Sequence, residues 1–455
     1  MFSTFARLPI KATAYSGQPF SLLDAPAHED LAAIVEIDLI ENGDRGVREL
    51  WQDHQLANLA RHARAHSAFW RKRIPEGLID RQILHTLPVL TREDVREQVR
   101  TEGSLVASPS GQTYTSSGST GTPVTVHITG FNRRYHAMRG LARCFMEGRP
   151  LNEPRTFIRP ARAEVMLDRG QKLKVERHNT WIGRLGSVFA DAPHKIIQFA
   201  YDESALLDEL RKDKVGYLAC PSTFMHIIMR SGGVENLLRM GVSMWLHHSD
   251  NLDAGLATSL RESGIAVRSS YSCSEVGAIA AECVDTPGNY HVVHSNVIVE
   301  CDSTNTVSVD GVEVGRMLVT HLHAYATPLI RYDVGDFGHL ADTCPCGHDG
   351  PTLSRLHGRG KFFLRHPDGR LLPFQIFSRL FQLIEISEFH IHQPDVMTIF
   401  VELGRHTALT PDEEERVKAF VTRASDPVFR VEVKVVPSID WSRNPKRLAF
   451  TSAVA

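Results

Sequence analysis

The segment Thr115–Pro123 combines hydroxyl side chains and glycines in one short run, Thr-Ser-Ser-Gly-Ser-Thr-Gly-Thr-Pro. Glycine lets the backbone approach a ligand closely and adopt positive φ, so successive N–H groups can converge on an anion while hydroxyls add donors. The composition therefore favours a polyphosphate-binding loop. It is not a Walker loop, since the G-x-x-x-x-G-K-[ST] pattern is absent. By itself, a Ser/Gly-rich segment is also typical of a flexible linker.

Four further motifs follow downstream, with the sequences YSCSEVG at 271–277, RYDVGD at 331–336, GRGK at 358–361 and NPKR at 444–447. Their order and approximate separations resemble those of the adenylate-forming enzymes, the superfamily of acyl-CoA synthetases and adenylation domains. The resemblance extends from about Thr113 to Lys446. The chain length and the form RYDVGD resemble the phenylacetate–coenzyme A ligase branch most closely.

The resemblance implies ATP-dependent activation of a carboxylic acid, with an aryl or arylacetic acid expected, followed by transfer of the acyl group to coenzyme A. A carboxylate is a poor electrophile, so the protein must hold the triphosphate and Mg²⁺ and align the acid for attack on the α-phosphate. Three alternatives stay open. In the first, the acceptor of the acyl group is an amine or a carrier-protein thiol. In the second, the protein binds nucleotide without catalysis, and in the third, the chain is a zinc-stabilised interaction module.

The resemblance also assigns roles to individual residues. The β- and γ-phosphates are expected on Ser116, Ser117, Gly118, Ser119, Thr120 and Gly121. Around the nucleotide, the expected contacts are Tyr271 and Ser272 near adenine, Ser274 at the α-phosphate, Asp336 at the ribose and Arg359 at the ribose or phosphate.

The resemblance implies three catalytic residues, Glu275, Arg359 and Lys446. A carboxylate is a hard oxygen ligand, which makes Glu275 the expected Mg²⁺ ligand. Lys446 resembles the late lysine that contacts the carboxylate and α-phosphate during adenylation, and Lys361 occupies the hinge position between domains. The sequence departs from the family pattern at Thr122, Ser272 and Pro445, where lysine, glycine and glycine are usual.

The cysteines suggest a metal site. Three thiolates and one imidazole can form a closed tetrahedral zinc site, and the residues proposed for it are Cys283, His291, Cys344 and Cys346. Some relatives in the phenylacetate branch carry this arrangement. His294 and His348 are alternative fourth ligands, and free buried cysteines are the competing interpretation.

The sequence gives less information about the acid-binding pocket than about the nucleotide motifs. The candidates are Tyr135, Phe224 and His247, although aromatic residues at such places are also typical of a protein core. The run FIRPAR at 157–162 suggests an additional anionic or polar substituent on the acid.

Composition and patterning predict an α/β protein of two domains, because 455 residues exceed one compact core. The first domain, 1–358, is expected to have a helical lead-in (1–106), a mainly parallel sheet flanked by helices, and a β-rich subdomain. The parallel sheet includes a strand from Ile265 that ends just before the Tyr271 motif. A small mobile α/β domain is expected at 359–455.

The net charge and the N-terminal residues indicate which partners and which location to expect. A net charge of −2 gives no reason to expect nucleic acid or a membrane surface as a partner. The N-terminus lacks the apolar core of a signal peptide, and no run of 18 apolar residues occurs. We therefore expect a cytoplasmic protein with reduced thiols, and base rates favour a homodimer.

Overall fold

A computed structural model of the chain describes residues 25–107, 111–116, 123–160, 173–187, 189–199, 203–309, 311–358, 363–374, 380, 383–441 and 449–454. The lead-in is helical, as predicted. Its helices are α1 (Ala25–Glu41), α2 (Arg45–His66), α3 (Ala68–Arg73), α4 (Arg81–Leu84) and α5 (Arg92–Glu102). Helix α5 begins with a capping box in which the Thr91 hydroxyl accepts from the Asp94 N–H and the Asp94 carboxylate accepts from the Thr91 N–H.

The centre of the molecule is a twelve-stranded sheet. Its parallel part runs in the order β8, β7, β6, β3, β5, with β3 at Arg155–Pro160, β5 at His194–Phe199, β6 at Gly216–Cys220, β7 at Val242–His247 and β8 at Ala266–Cys273. Strand β4 (Leu173–His178) pairs antiparallel with β5 at the edge. The helices of this region are α6 (Gly130–Met146), α7 (Glu203–Leu210), α8 (Ser222–Arg230), α9 (Gly233–Arg239) and α10 (Ala254–Glu262), with a 3₁₀ helix at Gly183–Ser187.

The β-rich region continues the same sheet with antiparallel strands. It contains β9 (Gly277–Glu282), β10 (Tyr290–Val292), β11 (Val297–Val309), β12 (Val312–His321), β13 (Tyr332–Ala341) and β14 (Thr352–His357). Strands β1 (Gln112–Thr115) and β2 (Thr125–Ile128) form a hairpin on either side of the Ser/Gly-rich loop. Strand β8 joins the two halves, since it pairs parallel with β7 and antiparallel with β9.

This junction corrects one sequence-based expectation. Tyr271 was expected just beyond the strand that begins near Ile265, but β8 continues through Cys273. The reason is tertiary, because the second half of β8 finds backbone partners in β9, with Ser270 opposite Ala281. The turn of the motif therefore comprises Ser274, Glu275 and Val276, between two strands.

A smaller α/β unit follows. It has β17 (Glu388–Asp395), β18 (Thr398–Gly404), β19 (Arg430–Val436) and β20 (Phe450–Ser452) in the sheet order β19, β18, β17, β20, with helix α11 (Pro411–Ala424). This agrees with the predicted small C-terminal domain. Between the two sheets lies the hairpin β15 (Phe363–Arg365) and β16 (Leu371–Pro373), in which Phe363 packs with Phe337 while Leu364 packs in the C-terminal core.

The predicted boundary near Arg359 falls outside the described residues, so its position stays a prediction. In the part of the chain that the structure describes, no helix has the length and apolar character that crossing a bilayer requires.

Candidate functional site

A cavity of about 1120 Å³ runs from the motif turn along one face of the sheet, beneath helix α6. Open α/β sheets bind ligands at the carboxyl ends of their strands, and β7 and β8 end here. The residues of the sequence motifs that line the cavity are Tyr271, Ser272, Ser274, Glu275 and Asp336. The structure thus brings together residues that are separated by up to about sixty positions in the chain.

Glu275 is buried, with an exposed fraction of 3%. Its Oε1 accepts from Arg92 Nη2 at 2.8 Å and from the Tyr332 hydroxyl at 3.2 Å. Its Oε2 is buried without a hydrogen-bond partner among the described residues. Buried carboxylate oxygens are normally satisfied, so an Oε2 without a partner among the described residues is suited to a hard divalent cation such as Mg²⁺.

The turn that carries Glu275 depends on Gly277. Its φ is +80°, and a Cβ there would lie 2.9 Å from Nδ1 of His136. A side chain at this position would therefore strain the backbone and displace His136, which also lines the cavity.

Asp336 and Tyr271 are connected directly. The Tyr271 hydroxyl donates to Oδ2 of Asp336 at 2.8 Å. The carboxylate is mostly buried, while the tyrosine is partly exposed to the cavity. This arrangement orients an acceptor that can receive hydrogen bonds from the paired hydroxyls of a ribose.

Sequence reasoning missed Arg92 and the role of Tyr332 as partners of Glu275. Leu90 pairs with β13, through Leu90 N–H to Arg331 O and Asp333 N–H to Leu90 O, each at 2.9 Å. This bridge positions the first turn of α5 beside Tyr332. The capping box at Thr91 is a local feature of α5, but no local signal predicted that Arg92 would reach a carboxylate 183 positions away.

The three acid-pocket candidates have different environments. His247 lines the cavity, and its ring nitrogens contact Ser269 Oγ and Asp250 Oδ1, each at 2.8 Å. Although burial raises the pKa of Asp250, hydrogen bonds from His247 and from the backbone of α8 lower it below its ordinary value.

Phe224 and Tyr135 lie in packed surroundings, and their assignment to the acid pocket stays a prediction. Phe224 packs edge-on against Phe199 in the core behind the sheet, with a ring separation of 5.3 Å, and Tyr135 is buried beside His323. Neither is among the described residues that line the cavity. Both aromatic residues serve packing, because the helical positions they occupy face inward.

The four proposed metal ligands converge. The ligand atoms of Cys283, His291, Cys344 and Cys346 all lie within 4.8 Å of one another. Cys346 Sγ is 3.4 Å from Nε2 of His291. Burial and neighbouring cationic groups lower the pKa of His291 to about 4, which keeps its imidazole neutral and able to coordinate.

The cluster connects two parts of the site. Cys283 and His291 flank the loop between β9 and β10, while Cys344 and Cys346 lie between β13 and β14. His348 stacks on His291 at a ring separation of 4.1 Å, and its Nε2 is 3.4 Å from that of His294. His294 and His348, the alternative fourth ligands, therefore lie next to the cluster and are not among its four converging residues.

The remaining site residues fall outside the described part of the chain. They are Ser117, Gly118, Ser119, Thr120, Gly121, Arg359, Lys361 and Lys446. Ser116, which is described, is buried, and its hydroxyl accepts from the Val124 N–H at 2.9 Å. It thereby closes the base of the loop, and the phosphate role of the loop stays a prediction.

The fold is that of the adenylate-forming enzymes. A 2-hydroxyisobutyryl-CoA ligase, solved in its postadenylation state with 2-HIB-AMP, is 15% identical, with a TM-score of 0.65 over 88% of each chain. An acyl acid amido synthetase in complex with 2,4-DB is 16% identical, with a TM-score of 0.57 over 90% of this chain and 89% of that chain. No protein-family model and no curated protein sequence matches the chain.

The Tyr271–Asp336 contact leads to a prediction. We expect Tyr271→Phe to raise the KM for ATP by about 10-fold, because losing a hydrogen bond to a charged group costs on the order of 1.5 kcal/mol. The KM for the acid should change little. Steady-state kinetics with each substrate varied in turn would test this, and an unchanged KM for ATP would contradict the assignment.

Proposed function

We propose that the protein activates a carboxylic acid with ATP to an acyl-adenylate and transfers the acyl group to coenzyme A. The observation that carries this proposal is the convergence of Glu275, with one carboxylate oxygen unsatisfied, and the Tyr271–Asp336 pair in one cavity. Together they match the two demands of ATP binding, a metal ligand near phosphate and an acceptor for the ribose. The fold shared with acyl-CoA ligases supports the same reaction class.

Each residue has a defined part in this reaction. Oε2 of Glu275 would hold Mg²⁺, which when bound offsets phosphate charge, while Arg92 and Tyr332 keep the carboxylate in place. Asp336 would bind the ribose and so orient the α-phosphate toward the acid. Lys446 would approach the attacking carboxylate and the α-phosphate and stabilise the charge that builds there.

An amine is the alternative acceptor. The acyl acid amido synthetase shares the fold over 90% of this chain, which keeps amide formation as the second candidate. We favour coenzyme A because the sequence motifs resemble the phenylacetate–coenzyme A ligase branch.

We also propose that Cys283, His291, Cys344 and Cys346 bind a structural zinc ion. Three thiolates and one imidazole leave no open position for substrate, as in closed structural sites. The ion would tie the loop behind Glu275 to the loop behind Asp336. We retain a cytoplasmic location and a homodimer as predictions that follow from the sequence.

The experiment that tests the function is ATP–pyrophosphate exchange with a panel of aryl, arylacetic and aliphatic acids, followed by the same reactions with coenzyme A or with amines. Acid-dependent exchange would establish adenylation, and consumption of coenzyme A would identify the acceptor. ATP binding without exchange for any acid would overturn the proposal in favour of a nucleotide-binding protein.

We expect Lys446→Ala to reduce acid-dependent exchange on the order of 100-fold, since removing one group that stabilises transition-state charge typically costs that much. ATP binding, measured by calorimetry, should be retained. Lys434→Ala, at an exposed lysine of β19, provides a matched control. Wild-type exchange in the Lys446 variant would remove the residue from the mechanism.

A further inference from the structure

One region of the cavity wall contains more positive charge than the protein neutralises. Arg143, Arg149 and Arg268 all contact the single carboxylate of Glu147. Nε of Arg143 is 2.6 Å from Oε1, and Nε of Arg149 and Nε of Arg268 are 2.6 and 3.2 Å from Oε2. All four residues line the cavity.

A fourth arginine adds to this excess. Arg155 also lines the cavity, and its Nε is buried without a hydrogen-bond partner among the described residues. Its guanidinium lies 5.9 Å from the ring centre of Trp181 and forms no ion pair with any described carboxylate. Burial lowers the pKa of Arg155, yet an arginine stays charged at neutral pH.

The other nearby carboxylates are already engaged. Glu282 pairs with Arg261 and accepts from the N–H groups of Ser269 and Gly288. Glu153 pairs with Lys214 at 2.7 Å. Glu41, which also lines the cavity, accepts from the N–H groups of His294 and Ser295. Among the described carboxylates, Glu147 is therefore the ion-pair partner of Arg143, Arg149 and Arg268, and Arg155 has none.

The position of these arginines relative to the adenylation motif follows from the strand. Side chains alternate across a sheet, so Arg268 and Ser270 of β8 share a face, and the cavity lining continues along β8 from Arg268 to the motif turn. Residues four apart along a strand are separated by about 13 Å. Arg268 thus lies roughly one small-molecule length from the motif turn, on the same wall.

Buried charges in proteins are paired, because leaving one unpaired costs several kcal/mol. Guanidinium groups match a carboxylate through two parallel N–H···O bonds. An uncompensated arginine group inside a ligand cavity therefore indicates a ligand that brings the missing negative charge.

We propose that the acid substrate has a second carboxylate at the end remote from the one that is activated, and that Arg155, with Arg149 and Arg268, binds it. This inference rests on the proposed function, since it identifies the class of acid that the same cavity accepts. Arg155 selects the substrate and does not contact the reacting atoms.

The test compares matched acids that differ only in the remote carboxylate, octanedioate with octanoate and 1,4-phenylenediacetate with 4-methylphenylacetate. Binding is measured by calorimetry without ATP, and kcat/KM by pyrophosphate exchange. We expect the diacids to be preferred, and Arg155→Met to reduce that preference by about 30-fold or more, as truncation of one member of a buried charge pair does. Arg155→Met breaks no ion pair among the described residues, so the variant should fold.

Arg100→Met is the control, because Arg100 is an exposed arginine of α5 paired with Glu97. Equal binding and turnover of diacids and monoacids by the wild type would overturn the inference and leave acid activation intact. A diacid preference that Arg155→Met leaves unchanged would also overturn it. If no acid supported exchange, the proposed function would be overturned. The calorimetric comparison of diacids with monoacids would still show whether the cavity prefers a diacid.

Discussion

Glu275→Gln should lower acid-dependent pyrophosphate exchange on the order of 1000-fold. The neutral amide keeps the size of the side chain but removes the charge that would hold Mg²⁺ through Oε2, the oxygen that has no partner among the described residues. Metal-ion stabilisation of phosphate charge is worth several kcal/mol, which corresponds to this loss. The measurement is exchange rate against Mg²⁺ concentration, and we expect the midpoint to rise sharply in the variant.

A second variant separates the metal role from a structural one. Glu275 pairs with Arg92 at 2.8 Å, and breaking a buried ion pair destabilises a protein. Arg92→Met breaks the same pair but leaves the carboxylate, so it should lower thermal stability while preserving the Mg²⁺ midpoint more closely. If both variants lost stability equally and neither changed the Mg²⁺ midpoint, Glu275 would be a structural residue. Glu93→Gln, on the exposed side of α5, is the surface control.

Removal of a ligand from the cysteine–histidine cluster should have the largest effect on stability. Metal binding to such a site contributes directly to folding free energy, and we expect Cys344→Ser to cost on the order of 3–5 kcal/mol, the range of losses seen when a metal site is broken. The Tm should fall by roughly 3–5 °C, since the shift per kcal/mol becomes smaller as the chain becomes longer. Zinc content by plasma mass spectrometry and a thermal melt on the same sample would measure both effects.

Cys301→Ser is the matched control, since Cys301 is a free cysteine of β11 whose thiol donates to the Gly338 carbonyl and lies outside the cluster. It should retain one equivalent of zinc and nearly the wild-type Tm. Purified wild-type protein without zinc, or a Cys344→Ser variant as stable as the wild type, would show that the cluster is a group of reduced thiols. Because the cluster supports both nucleotide loops, ATP affinity should fall together with zinc content.

The positions of the motifs show which features of the site a local sequence pattern can predict. Glu275, Asp336 and the four metal ligands were named from the sequence, by residue type, by order and by the resemblance to the adenylate-forming enzymes. Their motifs are a few side chains at short spacing, or loops that flank paired strands of the sheet, such as β10 and β14. The capping boxes at Thr91 and Thr410 are also local features, because a cap requires only residues three positions apart.

Other features depended on contacts that no local pattern encodes. Phe224 and Tyr135 could have lined the pocket or the core with the same sequence, and only the packing of helices α8 and α6 placed them in the core. Arg92 reaches Glu275 because Leu90 pairs with β13, a contact between segments far apart in the chain.

The sequence by itself predicted the reaction class, the nucleotide contacts and the cysteine–histidine cluster, because each prediction rests on specific residue types in short motifs. The tertiary structure decided which partners hold Glu275, where β8 ends, and which side chains line the cavity. It also gathered Arg143, Arg149 and Arg268 around Glu147, from a helix, a loop and a strand. Charge balance in a cavity is a property of three-dimensional proximity, so the proposal of a diacid substrate could come only from the folded chain.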